Sequence, residues 1–121
     1  MTGSFAAPRI SEFMAANVSR LADEDGDFPD WIEVHNPDNV AVPLAGYHLT
    51  DDAANLDKWT FPAVTLNPGA ILVVFASGKN RNNPAALLHT NFRLSADGDS
   101  LALVAPDGTT VVSDFAPSYP A

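Results

Sequence analysis

Residues 23–34 read Asp23-Glu24-Asp25-Gly26-Asp27-Phe28-Pro29-Asp30-Trp31-Ile32-Glu33-Val34, and this stretch decides the fold. Five carboxylates crowd a turn that contains a glycine, and an apolar segment with alternating character follows at once. Because side chains alternate between the two faces of a strand, Ile32 and Val34 are predicted to point into a core, with Glu33 and His35 outside. The stretch therefore predicts a polar loop that is tied directly to a rigid sheet.

The rest of the chain shows a similar spacing. Short apolar segments recur about every 10–15 residues between clusters of Gly, Pro, Asn and Asp. This spacing predicts an all-β, antiparallel sandwich or barrel of about seven to nine strands, because helical periodicity is scarce. The predicted strands are residues 9–15, 31–36, 46–50, 59–61, 70–77, 92–94, 100–105 and 110–115.

One of these strands differs from the others in its pattern. Residues 71–75 are apolar at every position, which is typical of a central strand covered on both faces. Two later turns also have a clear signature, since Asp97-Gly98 and Asp107-Gly108 offer the positive backbone angles of tight hairpins. We expect these turns to fix the register of the last strands.

Composition restricts the class of protein. A chain of 121 residues with 46% apolar and 17% charged side chains forms one folded domain with one core. With 15 acidic and 6 basic residues, its net charge of −9 argues against nucleic acid as a partner. No apolar run approaches the roughly 20 residues of a membrane helix, so no membrane insertion is expected. Cysteine is absent, which excludes disulfides and thiolate sites but leaves the compartment open.

The acidic loop is the candidate metal site. Asp23, Asp25, Asp27 and Asp30 could supply several oxygen ligands to a calcium ion, the one candidate cofactor. The loop is not an EF-hand, because Gly26 falls between two of the aspartates and no glutamate stands at the twelfth position. The alternative is a solvated turn in which the aspartates accept backbone hydrogen bonds. Both interpretations remain open at this point.

No catalytic set can be assigned from the sequence. The three histidines lack the short spacing of a metal site, and neither Ser77 nor Ser95 has the setting of a nucleophile. We therefore predict that the chain is not an enzyme. The alternative is a metal-dependent hydrolase or enzyme-associated subdomain that uses the carboxylates between Asp23 and Asp30.

Four aromatic residues, Trp31, Tyr47, Trp59 and Phe61, also leave two interpretations open. Exposed rings could stack on sugars, whereas buried rings would fill the core. Core packing is favoured, because burial removes a large apolar area from water. Strict alternation places Trp31 on the outer face unless a bulge turns it inward.

The order of motifs resembles the bacterial lamin tail domain. The resemblance spans about residues 9–120 and rests on these segments: Asp30-Trp31-Ile32-Glu33-Val34-His35-Asn36-Pro37, Gly46-Tyr47-His48-Leu49-Thr50-Asp51-Asp52, Lys58-Trp59-Thr60-Phe61-Pro62 and Leu88-His89-Thr90-Asn91-Phe92-Arg93-Leu94-Ser95. It implies an immunoglobulin-like β-sandwich over residues 9–116. Residues 1–8 are then expected to be a disordered or non-native leader, and residues 117–121 an extended tail or the start of a linker.

The resemblance also implies a functional setting. It implies a noncatalytic module of a larger, secreted or cell-surface bacterial protein that binds protein or polysaccharide, or that spaces other domains. It transfers no catalytic residue to this chain. The filament role of animal lamins is not implied, because the chain has neither coiled-coil heptads nor a basic surface. We expect a monomer or weak self-association.

Overall fold

The structure is a computed structural model, and it describes residues 8–14, 22–94 and 101–114. These residues form strands and loops but no helix, so no helix among them could cross a membrane. The ten strands are β1 (Arg9–Met14), β2 (Asp30–His35), β3 (Val42–Pro43), β4 (His48–Thr50), β5 (Trp59–Thr60), β6 (Thr65–Leu66), β7 (Ile71–Ala76), β8 (Leu88–His89), β9 (Ala102–Val104) and β10 (Val111–Asp114).

Two four-stranded sheets and a small ribbon make up the domain. Sheet 1 has the order β1-β2-β7-β8, sheet 2 has the order β10-β9-β4-β5, and β3 pairs with β6. All pairs are antiparallel except β7 with β8. A hydrogen bond from the Ile10 amide to Ser113 Oγ (3.1 Å) joins β1 to β10 across the two sheets. The all-β antiparallel sandwich predicted from the sequence is confirmed.

The core lies between the inner faces of the two sheets. Ile32 and Val34 on β2 are fully buried, as their alternation predicted, and they share a cluster with Leu49 and Leu103 of sheet 2. Each such side chain contributes about 1.5–3 kcal/mol when it leaves water. A buried Trp59–Phe61 pair belongs to the same cluster, with ring centroids 5.0 Å apart in an edge-to-face arrangement. Core packing is therefore the correct interpretation for these two rings.

Buried Asn36 connects the end of β2 to the ribbon. Its side-chain amide donates to the carbonyl oxygens of Val40 (2.8 Å), Leu66 (3.0 Å) and Asn67 (3.2 Å). Its Oδ1 accepts from the Asp38 amide at 3.1 Å. The amide has two N–H groups for these three carbonyls, so one N–H is shared between two of them. Asn36 thus closes the turn that follows β2 and leaves none of its own polar atoms unpaired.

The predicted strand over residues 92–94 is wrong. The strand lies earlier, at β8, and of residues 92–94 only Arg93 makes an isolated bridge, to Ser77. The physical reason is a local turn, in which Thr90 Oγ1 donates to the Phe92 carbonyl at 2.8 Å. Such hydroxyl bonds give the backbone an alternative to a strand ladder. The strand count exceeds nine because four strands have only two residues, among them β3, β6 and β8, which the sequence analysis missed.

Strand β7 is central, but it is covered on both faces only in its second half. Ile71 at its start is 55% exposed, whereas Phe75 is 2% exposed. The Asp107-Gly108 turn joins β9 to β10 as predicted, with a hydrogen bond from the Ala105 amide to the Thr110 carbonyl (2.8 Å) and a positive φ of 75° at the glycine. The predicted Asp97-Gly98 turn and the tail 117–121 lie outside the described residues, as does the expected leader except for Pro8, which is buried.

Candidate functional site

The acidic loop folds into a turn that closes on Asp23. Oδ1 of Asp23 accepts hydrogen bonds from the backbone amides of Asp25 (2.9 Å) and Asp27 (3.0 Å). The backbone amide of Asp23 donates to the Asp27 carbonyl at 2.8 Å, and Gly26 adopts a φ of 80° that an L-residue rarely takes. The side chain of Asp23 is fully buried. The aspartate turn considered in the sequence analysis is therefore present.

A lysine from a distant part of the chain binds the remaining oxygens of this loop. Nζ of Lys79 contacts Oδ2 of Asp23 (2.5 Å), Asp25 (2.9 Å) and Asp27 (2.9 Å). These contacts hold the pKa of Lys79 above its usual range. Burial by itself would raise the pKa of Asp23, but the hydrogen bonds from Lys79 and from the two backbone amides lower it overall. One ammonium group thus contacts three converging carboxylates.

Arg81, in the segment that leads to β8, and His89, in β8 itself, bind the same loop. The Arg81 guanidinium contacts Glu24 Oε2 (3.0 Å) and Asp25 Oδ2 (2.9 Å), and His89 Nε2 lies 2.6 Å from Glu24 Oε1. Hydrogen bonds from Lys79 and Arg81 lower the pKa of Asp25. We call Asp23, Glu24, Asp25, Asp27, Lys79 and Arg81 the charged cluster. Next to this cluster, the His89 ring stacks on Phe75 of β7 with centroids 5.3 Å apart.

A chain of hydrogen bonds runs from Ser77 through His89 to Glu24. Ser77 Oγ is 2.7 Å from His89 Nδ1. Because a carboxylate only accepts hydrogen bonds, His89 Nε2–H donates to Glu24, and in a neutral ring Nδ1 would then accept from the Ser77 hydroxyl. The order serine, histidine, acid resembles a hydrolase triad. However, Ser77 is only 3% exposed, and its Oγ also accepts a hydrogen bond from the Lys79 amide (3.0 Å). These three hydrogen-bonded side chains therefore link the acidic loop to sheet 1.

Lys79 lies among the carboxylates that the sequence analysis assigned to calcium. Two groups of residues in the described part of the chain bring ligand atoms within 4.8 Å of one another: Asp23, Glu24 and His89, and Asp23, Asp25 and Asp27. Lys79 Nζ lies at the point that a calcium ion would take in the second group. Calcium requires six to eight oxygen ligands, and it would first have to displace this ammonium. Calcium binding stays a prediction.

Asp30, the fourth predicted ligand, does not join these groups and instead lines a cleft at the start of β2. The cleft measures about 280 Å³ and is bordered by Asp27, Phe28, Pro29, Asp30, Ala76, Ser77, Lys79 and Arg93. Phe28 at this cleft is 42% exposed, and sequence reasoning missed it. The signal was available, because Phe28 lies in the acidic loop before the strand alternation begins.

The predicted outer position of Trp31 agrees with the structure. Trp31 is half-buried and lies opposite Phe75, on the outer face of sheet 1. The bulge in this part of the sheet occurs in β1, between Ile10 and Glu12, and not in β2. The Trp31 indole nitrogen is buried without a hydrogen-bond partner among the described residues. The ring is therefore not free to serve as an open platform.

Two mainly antiparallel sheets packed around one core, with the charged cluster between the loop before β2 and the segment after β7, define an immunoglobulin-like β-sandwich module. Residues 4–116 of the 121 match the family model described as Lamin Tail Domain. The chain belongs to the lamin tail domain family, which is a noncatalytic immunoglobulin-like module. A comparison with curated proteins gives no match.

Proposed function

We propose that this domain is a noncatalytic interaction or spacing module of a larger protein, displayed on the cell surface or secreted. Family membership over residues 4–116 supports this role. The extracellular setting rests on the resemblance to bacterial lamin tail domains described above. The partner on this proposal is a protein or a polysaccharide, and nucleic acid is disfavoured by the net charge of −9.

The observation that carries the noncatalytic role is the pairing inside the charged cluster. A metal-dependent hydrolase would need carboxylates that can bind a metal and activate water. Here, Asp23, Asp25 and Asp27 each bind Lys79, and Glu24 binds Arg81 and His89. These contacts connect the loop before β2 to the segment after β7. On this proposal, the cluster stabilises the loop rather than taking part in catalysis.

The noncatalytic role is tested by turnover assays on the intact chain. Chromogenic esters, phosphoesters and glycosides are incubated with the protein, with and without divalent metal ions. We expect no turnover above a matched Glu24→Gln, Ser77→Ala double variant, which removes the acid and the hydroxyl of the hydrogen-bond chain. Turnover that the double variant loses would refute the noncatalytic role.

The extracellular setting needs a separate experiment. Intact cells that express the full parent protein are treated with a membrane-impermeant amine-reactive label, and the domain is then recovered. We expect labelling of the domain in intact cells, with a cytoplasmic marker unlabelled as the control. Labelling that appears only after lysis would contradict this part of the proposal.

A further inference from the structure

We propose that the cleft beside Phe28 binds one neutral sugar unit of a polysaccharide. This inference rests on the proposed function as an interaction module and assigns it a site and a ligand class. The cleft lies between the end of the acidic loop and the segment that follows β7. Two of its features, an exposed aromatic ring and balanced charges, are explained by a sugar ligand.

The exposed ring is unusual among the described residues. Trp59, Phe61, Phe75 and Phe92 are between 2% and 5% exposed and Trp31 and Tyr47 are half-buried, whereas Phe28 is 42% exposed. A large ring left in water gives up the stabilisation that burial would provide. At the border of a cleft, the same ring offers a flat apolar face for the C–H groups of a pyranose. Binding would remove this exposed area from water.

The charges of the cleft balance. Its lining contains two carboxylates, Asp27 and Asp30, and two cations, Lys79 and Arg93. A phosphate or a polycation would therefore meet as much repulsion as attraction, whereas hydroxyl groups can donate to the carboxylates and accept from the Arg93 guanidinium. The Asp27 side chain remains 66% exposed although its Oδ2 binds Lys79. A neutral ligand rich in hydroxyl groups suits this set.

The polar groups are held in place before any ligand arrives. Arg93 Nε donates to the Ser77 carbonyl at 3.0 Å, and the arginine side chain lies across Gly78. A Cβ at Gly78 would come within 3.4 Å of Arg93 Nε, and the φ of 76° there favours glycine. Asp27 is held by the contact between its Oδ2 and Lys79 Nζ (2.9 Å). Groups that are ordered in advance lose less conformational entropy on binding.

The size of the cleft limits the ligand. Pockets for small molecules usually measure about 300–1,000 Å³, and this cleft, at about 280 Å³, is slightly smaller than that range. It fits one pyranose ring. A longer glycan would extend from the cleft across the surface, and its affinity would depend on contacts beyond this first ring.

The proposal is tested by NMR titration of the whole chain labelled with ¹⁵N. The probes are glucose, galactose and N-acetylglucosamine, with galacturonate as the anionic comparison. We expect at least one neutral sugar to give saturable shifts at the amides of Phe28, Gly78 and Lys79. Phe28→Ala should weaken this binding at least about fivefold, because the stacked ring face is lost. The control Val40→Ala also removes an exposed apolar side chain, 52% exposed, but away from the cleft, and should leave binding unchanged.

Several results would overturn the proposal. The first is that no neutral sugar shifts any amide resonance, and the second is that only galacturonate binds. The others are that the shifted amides lie outside the cleft, or that Phe28→Ala binds the sugar as tightly as the wild type. Shifts caused by an added peptide but by no sugar would assign the cleft to a protein partner instead. Arg93→Met provides a second variant, with thermal melting to show that each variant is folded. These results are distinct from those that would refute the proposed function, namely enzymatic turnover or labelling of the domain only after lysis.

Discussion

Replacement of Asp23 by alanine and by asparagine separates the two tasks of this side chain. Alanine removes the acceptor of two backbone amides and also the carboxylate that contacts Lys79. Asparagine keeps an oxygen at the Oδ1 position but loses the charge. If the turn and the ion contact both stabilise the fold, the alanine variant should be the less stable of the two.

The magnitudes follow from the number and kind of bonds lost. A net hydrogen bond contributes about 0.5–1.5 kcal/mol, and a bond to a charged group contributes more. Lys79 is partly open to solvent, which weakens its contact with Asp23. We therefore expect a loss of about 2–4 kcal/mol for Asp23→Ala and about 1–2 kcal/mol for Asp23→Asn.

Urea unfolding followed by tryptophan fluorescence measures both values. The matched control is Asp52→Ala, because Asp52 is exposed and accepts one local backbone amide, from Ala54 at 2.9 Å. It should cost less than about 1 kcal/mol. Equal losses for the alanine and asparagine variants would show that the turn amides contribute nothing. Losses as small as the control would refute a stabilising role for the whole loop.

Three further predictions concern pH, cations and the core. Folding lowers the pKa values of Asp23, Asp25 and Asp107, and hydrogen bonds from Thr110 and Thr109 lower that of Asp107 to about 2. The ionised carboxylates therefore stabilise the fold above the ordinary pKa of 3.8, and this stabilisation is lost as the pH falls below that value. Melting temperatures recorded from pH 6 to pH 2 should fall mainly below about pH 4, and a flat profile there would contradict the assignment. The wild-type melting temperature should be the same in chelator and in millimolar calcium, whereas Lys79→Met should gain a calcium-dependent rise, because its three carboxylates then lack their cation. A calcium-dependent rise in the wild type would instead favour a metal in the loop. Asn36→Ala should lower the free energy of unfolding by about 2–4 kcal/mol, because it leaves a buried carbonyl without its donor; a loss below about 0.5 kcal/mol in urea titrations would show that water replaces the amide.

Local sequence patterns were enough to predict several features of the two sheets. The inward positions of Ile32 and Val34, the outer position of Trp31 and the hairpin at Asp107-Gly108 all follow from rules that act over a few neighbouring residues. Strands β3 and β6 could not be found in this way, because two residues give no periodicity and Pro43 argues against a strand. The strand prediction for residues 92–94 was wrong because Phe92 and Leu94 alternate as in a strand. The hydroxyl that forms a turn here belongs to Thr90, which precedes these residues.

Long-range pairing explains why the site was only half predicted. The loop was recognised from its charge density, but Lys79 is separated from its three carboxylate partners by 52–56 residues in the sequence. His89 is separated from Glu24 by 65 residues. No local pattern tells which of the few basic residues will face an acidic loop. The calcium prediction therefore considered only the ligands, and it could not include a cation that belongs to the chain itself.

The uneven cover of β7 has a consequence for protein engineering. At Phe75 the outer face of sheet 1 is packed, because the His89 ring of the neighbouring strand stacks on it, whereas Ile71 on the same face is 55% exposed. Substitutions should therefore be tolerated at the start of β7 and should disturb packing at its end. Libraries that aim to build a new recognition surface on this scaffold should begin at Ile71 and its neighbour His35, where side chains can change without disturbing a packed layer.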